Sequence, residues 1–502
     1  MEKKITKLPL SNYLAIVIIL IATFFRLYNL PNTLMFQGDQ GRDAIIVVNM
    51  LRDFDPVFIG PVASVGNLYL GPLYYYFMLP FLFLSFPSPL GPAYAVAVLG
   101  IAAVALVYLL GKRMFGTVTA LFAATFLAFN SIAIEYSRFS WNPNPAPFVS
   151  ILMIYFTFMA WKKSPKYWVA VAICFSVLIQ LHYVFLLSAA GAGIIWLLQL
   201  FEIIKIKNKK IMHLILATLF SALIFLLFLL PLILFDIRHD YLNTKAFLAM
   251  FTQEEAMKQT GGLLATLKET HGRGMHILFE ISIGKNRALN SALYYLAIIS
   301  SLVIAFDKVM RQGYKKNKAL IVLLSFLFTG ILGTAFYKHS VFHHYILYLF
   351  PVTFLLYGFL SAQLWKKKIL RVLPLGFLAF FIYFNYFRYP LEDLGWTIKD
   401  YKRSSQSIID RVEVGEKYNI VLLSESKDLY GQSYRYFLET SDRRPVDPEE
   451  FSQAETLFII NENQKGKDIL NLPIYEIQTF PNKKIFEEYN ITDGPEIIIL
   501  KR

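Results

Sequence analysis

A short polar segment after the first apolar stretch carries the residues best suited to chemistry. Residues 38–43 read GDQGRD. The two glycines permit a tight turn, and a carboxylate held where the local dielectric is low can act as a general base. Asp39 is therefore a candidate base, and Arg42 and Asp43 are candidate substrate-binding residues. The alternative is a polar loop in which Asp39 or Asp43 caps the following helix.

A second group of candidates follows the third apolar run. The group contains Arg138 and the segment Trp141-Asn142. A further candidate, Tyr74, lies before the second apolar run, in a run of three tyrosines. An arginine at a membrane interface can bind a phosphate through two parallel hydrogen bonds. The alternative for Arg138 is an anchor whose guanidinium reaches toward water. Arg138 is a candidate phosphate ligand, whereas Asn142 and Tyr74 are candidate substrate contacts.

Histidines and basic residues mark three later positions. His182 ends the fifth apolar run, Arg238 opens a polar loop of mixed charge, and Lys338, His343 and His344 flank the tenth run. Cationic or switchable donors suit a departing phosphate, although each could equally be a structural hydrogen-bonding group. The two adjacent histidines cannot share one helix face, so they make a poor metal pair. A divalent metal is possible but not supported, and no cofactor is predicted.

The composition is that of a polytopic membrane protein. Of 502 residues, 56% are hydrophobic and only 17% are charged, against about 25% charged in soluble domains. The net charge of +14 comes from short basic clusters between apolar runs, which is a topology signal and argues against nucleic-acid binding. The single cysteine, Cys174, excludes an intramolecular disulfide framework. Neither a phosphate-binding glycine loop nor a zinc-ligand spacing occurs.

The sequence predicts about eleven transmembrane helices, because uncharged runs of about twenty residues can cross the hydrocarbon layer. These runs fall at about 10–25, 90–111, 117–134, 145–161, 167–184, 185–201, 213–235, 288–306, 319–337, 345–364 and 370–387. A further run, 68–87, contains two prolines and three consecutive tyrosines, which favour an interfacial or re-entrant helix.

The charge pattern sets the predicted orientation. If 68–87 does not cross and the N-terminus is cytoplasmic, every basic cluster lies inside, near residues 3–7, 112–113, 162–166, 205–210, 308–318 and 366–371. We therefore expect a multi-pass protein of the plasma membrane with an extracytoplasmic C-terminus. All the candidate chemical groups then lie on the outer face, as one external active site requires.

Two domains are predicted. Residues 1–387 form a transmembrane module with external loops at 29–89 and 236–287, and residues 388–502 form a small extracytoplasmic α/β domain. In the second domain, the pattern predicts strands at 417–424, 456–461 and 497–500 and helices at 404–412 and 432–439. We find no catalytic motif there and expect accessory packing or acceptor recognition.

Several segments in succession resemble one family. An acidic residue in the first external loop is followed by GPLYYY at 71–76, GKRMFG at 111–116 and Tyr136-Ser137-Arg138. This order is similar to that of GT-C glycosyltransferases, in particular the protein-mannosyltransferase and aminoarabinose-transferase branch (glycosyltransferase family 39-like). The resemblance covers roughly residues 10–200, and the number of helices agrees through about residue 390.

The resemblance implies a function and a site. Such enzymes take a sugar from a polyprenyl- or dolichyl-phosphate donor and transfer it with inversion, here to a hydroxyl of a protein, lipid or polysaccharide. The position of the family's base is Asp39, and the positions expected to bind the leaving phosphate are Arg138, Arg238, Lys338 and His344. The chain departs from the family at Gln40, where glutamate is common, and after Arg138, where Asn142 and Asn144 replace an acidic residue. These departures argue against a metal-bridged site.

Two other functions compete with this interpretation. A secondary transporter or flippase would show inverted repeats with interrupted helices in both halves, and no such symmetry is evident. An envelope acyltransferase or ligase would place an intramembrane histidine beside an acyl tunnel, for which His182 is the only candidate. Convergence of the polar groups on a lateral cleft favours the transferase, and a midplane cavity open to both sides favours transport.

Overall fold

The computed structural model describes residues 9–63, 68–205, 211–252, 263–337, 340–426, 428–462, 468–481 and 483–502. Its α-helices are α1 Leu10–Leu27, α2 Leu30–Thr33, α3 Gly38–Asp53, α4 Leu73–Ser85, α5 Leu90–Phe115, α6 Thr117–Phe129, α7 Ser131–Glu135, α8 Ala146–Lys162, α9 Tyr167–Leu181, α10 Leu187–Lys205, α11 Ile211–Arg238, α12 Leu242–Thr252, α13 Leu263–Met275, α14 Ile281–Ile283, α15 Arg287–Gln312, α16 Lys318–Ala335, α17 Phe350–Trp365, α18 Val372–Tyr386, α19 Ile398–Ile409, α20 Gln432–Glu439 and α21 Tyr475–Thr479. A π-helix spans His276–Glu280, and 3₁₀ turns span Tyr183–Leu186, Tyr314–Asn317, His343–Leu349, Lys368–Arg371, Pro448–Gln453 and Ile469–Asn471.

A bundle of apolar helices forms the bulk of the molecule. Eight helical stretches within the described residues are long and apolar enough to cross a membrane, namely α1, α5, α11 and α15 and, each taken with the 3₁₀ turn before it, α10, α16, α17 and α18. The shorter apolar helices α6, α8 and α9 occupy three more of the runs expected to cross. Each of the eleven runs therefore contains a helix, and the prediction of a polytopic helical fold with a small C-terminal domain is confirmed.

Helix α4 stays at one end of the bundle. Its 13 residues give a length of about 20 Å, less than the hydrocarbon thickness. Near its start, the Tyr76 hydroxyl donates to the Val57 carbonyl at 2.9 Å. Just beyond its end, the Pro87 carbonyl accepts from the Tyr436 hydroxyl of the C-terminal domain at 3.0 Å. The segment from residue 68 to residue 87 thus begins and ends on the side that carries the C-terminal domain.

The C-terminal domain is a four-stranded sheet flanked by helices. Its strands are β1 Tyr418–Leu423, β2 Thr456–Asn461, β3 Ile485–Asn490 and β4 Glu496–Lys501, in the order β1-β2-β4-β3. Strands β1 and β2 pair parallel, and the other two pairs are antiparallel. Strands β1 and β2 are buried at every position, which is why continuous apolar runs predicted them.

Two elements of this domain differ from the prediction. Helix α19 begins at Ile398 rather than near residue 404, because Thr397 and Asp400 form a reciprocal capping box. Strand β3 was not predicted, since it is an edge strand with exposed and charged positions and lacks a clear apolar run.

The C-terminal domain packs directly on the segment between α1 and α4. The Ser433 hydroxyl donates to the Phe36 carbonyl at 2.8 Å, and the Phe36 ring contacts the Tyr436 ring with centroids 5.6 Å apart. Helices α3 and α20 approach so closely that a Cβ atom on Gly41 would lie 2.5 Å from the carbonyl oxygen of Gln432. Glycine is therefore required at position 41, and α3 is fixed from both sides.

Candidate active site

Helix α3 presents Asp39 at an accessible helix start. The Gln40 side chain accepts from the Gln37 amide at 2.9 Å and forms a capping box with it, so neither Asp39 nor Asp43 is the cap considered as an alternative. The Asp39 side chain is 48% exposed and accepts a hydrogen bond from Arg42 Nη1 at 2.8 Å. A carboxylate in the first turn also interacts favourably with the helix dipole. Asp39 is thus held as a carboxylate that a substrate can reach.

Asp43 is the buried partner of the same arginine. Arg42 Nη2 donates to Asp43 Oδ1 at 2.7 Å, and the Tyr75 hydroxyl donates to the same oxygen at 3.4 Å. The other carboxylate oxygen, Oδ2, is buried without a hydrogen-bond partner. Burial raises the pKa of Asp43 to about 6, and the ion pair with Arg42 only partly opposes this shift. Asp43 cannot touch a substrate, but it fixes the guanidinium that holds Asp39.

This burial leads to a testable pH dependence. The folded protein retains the Asp43 proton up to a pH of about 6, whereas the unfolded chain releases it near 3.8. Between these values the folded state binds more protons, so the free energy of unfolding should fall as the pH rises, by roughly 3 kcal/mol. Thermal unfolding of Asp43→Asn between pH 4 and about 6.5 should lack this decline. Asp53→Asn, at the exposed end of α3, should keep it, and an unchanged slope in Asp43→Asn would contradict the assignment.

Two contacts join this segment to the second group of candidates. The buried Tyr74 shares a hydrogen bond of 2.8 Å with Ser140, the residue before Trp141. Gly71 packs against the Gln180 side chain so tightly that a Cβ atom would lie 2.3 Å from its Oε1. Residues 71–74 therefore contact the chain just after α7 and at the end of α9, where the aromatic and histidine candidates lie.

A ring cluster, made of Trp141, His182, His344 and Tyr345, forms at this junction. The Trp141 and His344 rings have centroids 4.5 Å apart, and the His182 ring lies 5.6 Å from that of His344 and 4.7 Å from that of Tyr345. Asn142 donates to the Leu181 carbonyl and so fixes the end of α9 beside the cluster. Three of the predicted site residues, Asn142, His182 and His344, are thus brought together.

His343 faces a different group, which sequence analysis missed. Its ring stacks on His276 with centroids 5.6 Å apart, and His276 Nδ1 lies 2.9 Å from Glu280 Oε2. This hydrogen bond lowers the pKa of Glu280. Lys285 and Arg388 are further charged neighbours of His343. His276 and Glu280 are four residues apart, a spacing that places two side chains on the same face of a helix. The sequence analysis did not use this signal because it predicted residues 236–287 to be an external loop.

Of the other predicted phosphate ligands, Arg138 is engaged with a different part of the chain. Arg138 is 2% exposed, and its guanidinium donates to the Phe25 and Tyr28 carbonyls at 2.6 and 2.8 Å and to Thr33 Oγ1. It therefore closes the C-terminal end of α1, and burial lowers its pKa to about 10. Arg238 is exposed at the end of α11. Lys338 lies outside the described residues.

A lateral cavity of about 260 Å³ opens beside the junction. Its lining is mostly apolar and comes from the segment 68–71 and from α9, α11 and α12, including the exposed Leu248. Asp236 and Asn243 supply polar atoms at one edge; Asp236 accepts from the Asn243 amide at 2.7 Å. Among the described residues, no group of three or more histidine, cysteine, aspartate or glutamate side chains is placed to hold a metal ion.

Comparison with known proteins agrees with this architecture. Residues 71–235 match the family model described as dolichyl-phosphate-mannose-protein mannosyltransferase. No curated protein matches the sequence. Among solved structures, ArnT from Cupriavidus metallidurans bound to undecaprenyl phosphate has 13% sequence identity and a TM-score of 0.55, with 98% of this chain and 97% of that chain covered.

A second solved structure has a similar fold. The Archaeoglobus fulgidus oligosaccharyltransferase, in complex with Zn and sulfate, has 13% identity and a TM-score of 0.54, with 89% of this chain and 68% of that chain covered. At this identity the likeness concerns the fold. The predicted resemblance is therefore confirmed: the chain has the fold of the GT-C glycosyltransferases and matches their mannosyltransferase family model over residues 71–235.

Proposed function

We propose that this protein transfers a sugar from a polyprenyl-phosphate donor to an acceptor hydroxyl on the extracytoplasmic face of the plasma membrane. The observation that carries the proposal is the position of Asp39. Asp39 is an accessible carboxylate that accepts a hydrogen bond from Arg42. The segment that contains it, residues 29–89, contacts the chain beside Trp141 through the hydrogen bond between Tyr74 and Ser140. The GT-C fold, shared with an ArnT that was solved with undecaprenyl phosphate, supports this class of donor.

The transfer is a single displacement with inversion. Asp39 accepts the proton of the acceptor hydroxyl while that oxygen attacks the anomeric carbon, and the bond to the phosphate breaks with its electron pair on the phosphate oxygen. Arg42 keeps Asp39 oriented, and Asp43 in turn fixes Arg42. Arg42 and Asp43 both belong to α3, so side chains of the same helix set the orientation of the Asp39 carboxylate, without a metal ligand.

Of the groups expected to stabilise the leaving phosphate, His344 keeps that role, whereas Arg138 is buried and donates to carbonyls at the end of α1. We therefore assign the role to His344 together with His343 and its basic neighbours Lys285 and Arg388. Fixed donors and charges aimed at a developing negative charge lower the barrier because they need no reorganisation. The lateral cavity, which borders the ring cluster through Gln180 and Tyr183, suits the isoprenoid part of the donor.

The direct test is a transfer assay with purified protein and a panel of radiolabelled polyprenyl-phosphate sugars. We expect transfer from at least one of them, a product of inverted anomeric configuration, and no transfer from nucleotide sugars. The panel also identifies the sugar and compares protein, lipid and polysaccharide acceptors. Movement of intact donor across vesicles without transfer would instead establish a flippase.

His344 should affect transfer through its imidazole rather than through packing. His344→Phe keeps a ring beside Trp141 but removes the nitrogen donor, so we expect kcat/KM to fall by about a hundredfold to a thousandfold. His213 is exposed near the start of α11, away from the ring cluster. The variant His213→Phe is therefore the matched control and should transfer sugar normally. Activity of His344→Phe equal to that of the control would restrict His344 to a packing role.

A further inference from the structure

A second cavity, which is polar, lies at the end of the helix bundle opposite the candidate active site. It measures about 440 Å³ and is formed where α5 passes into α6, α15 into α16, and α17 into α18. Four cationic side chains from these separate segments line it, namely Lys308, Lys316, Lys366 and Arg371. The described part of its lining contains no carboxylate, so the cavity concentrates positive charge.

The cations are positioned by specific contacts. Lys308 Nζ lies 6.0 Å from the centroid of the Phe359 ring, and Lys366 Nζ donates to Gln363 Oε1 at 2.7 Å. The Arg371 guanidinium lies 5.3 Å from the centroid of the Trp365 ring and donates to the Trp365 carbonyl at 2.9 Å. Lys308 is half-buried, whereas the other three cations are exposed at the rim. The group thus combines one deep charge with three peripheral ones.

The start of α6 adds backbone donors to the same cavity. Thr117, Val118 and Thr119 form its first turn and line the cavity, and no side chain caps this helix. Free amide groups at a helix N-terminus favour an anion. Together with the four cations, these amides supply donors of the kind that bind a phosphate group.

The surroundings identify the source of the phosphate. Val372, the residue after Arg371, is 67% exposed, and Lys308 and Arg371 belong to helical stretches that are long and apolar enough to cross a membrane. A ligand bound here therefore places its polar group among the cations and its apolar part along these helices. Basic pockets between transmembrane helices at the cytoplasmic surface have this arrangement when they bind anionic lipids.

We propose that this cavity binds the phosphate headgroup of an anionic phospholipid from the adjacent leaflet. Under the predicted orientation that leaflet is the cytoplasmic one. The bound phosphate places a negative charge among the four cations and links the chain segments that carry them with the start of α6. The site is separate from sugar transfer and is tested without a transfer assay.

The experiment measures lipid retention by the full-length protein with native mass spectrometry. Protein purified from mixed phosphatidylglycerol and phosphatidylcholine should retain phosphatidylglycerol preferentially. The double variant Lys308→Gln with Arg371→Gln should lose roughly tenfold or more of this preference, since each cation near an anionic surface contributes about fivefold. The matched control is Lys162→Gln with Lys163→Gln, which removes the same charge at the same end but outside the cavity lining.

The remaining outcomes overturn the proposal. Equal losses in both double variants would show a general surface effect of positive charge rather than a site. Stabilisation of the wild type by inorganic phosphate alone, with no preference between the two lipids, would assign the cavity to a free anion. Thermal unfolding in pure phosphatidylcholine checks that the cavity variant folds, and if it does not, the single variant Arg371→Gln, at an exposed position, takes its place.

Discussion

Asp39→Asn should abolish sugar transfer while leaving the fold intact. Asparagine cannot accept the acceptor's proton, and the loss of a general base lowers rates by about 10²–10⁴-fold. The stability should hardly change, because Asp39 is half exposed and an exposed ion pair contributes about 0–1 kcal/mol. Initial transfer rates and thermal unfolding of the same preparations measure the two quantities.

The same helix offers a matched control for this variant. Asp53 is 51% exposed and pairs with Arg52 at 2.9 Å, so Asp53→Asn removes an equivalent charge pair at the other end of α3. Transfer by Asp53→Asn should be normal. If both variants transferred at the wild-type rate, the proton would have to leave through another group, and the mechanism built on Asp39 would be wrong.

Gly41→Ala should weaken the attachment of the C-terminal domain and lower transfer. The added methyl would lie 2.5 Å from the Gln432 carbonyl oxygen, which belongs to the backbone and cannot rotate away. Overpacking of this kind costs about 1–3 kcal/mol and shifts the elements that meet there. Because Gly41 is two residues from Asp39, the shift should reach the base. Thermal unfolding and the transfer rate should both decline.

Gly272→Ala separates this clash from the general effect of replacing glycine in a helix. At position 272, in α13, an added Cβ would meet no other described part of the chain within 4 Å beyond its own helix backbone, so alanine there should be neutral or stabilising by up to about 1 kcal/mol. Equal behaviour of the two variants would show that α3 and α20 do not require their close approach.

The sequence predicted the bundle well because each transmembrane run is a local signal. The apolar length and the flanking cations of α5 or α17 are visible within about 25 residues. Asp39 could be singled out for a similar reason, since its polar segment directly follows an apolar run. The structure adds that Arg42 joins it to a buried carboxylate, which no local pattern reveals.

The rest of the site depends on contacts between distant segments. His344 meets Trp141 and His182 only because α8, α9 and α17 pack together, and His276 was hidden in a segment predicted as a loop. Arg138 illustrates the opposite error. An interfacial arginine can bind a phosphate or terminate a neighbouring helix, and only the carbonyls of Phe25 and Tyr28 distinguish the two.

The contact between α3 and α20 has a consequence for biogenesis. Phe36 and Ser433 are 397 residues apart, so this bond can form only after the chain has been made as far as α20. The segment that carries Asp39 therefore receives its final support only when the C-terminal domain has folded. A chain truncated before α20 should leave α3 without this support.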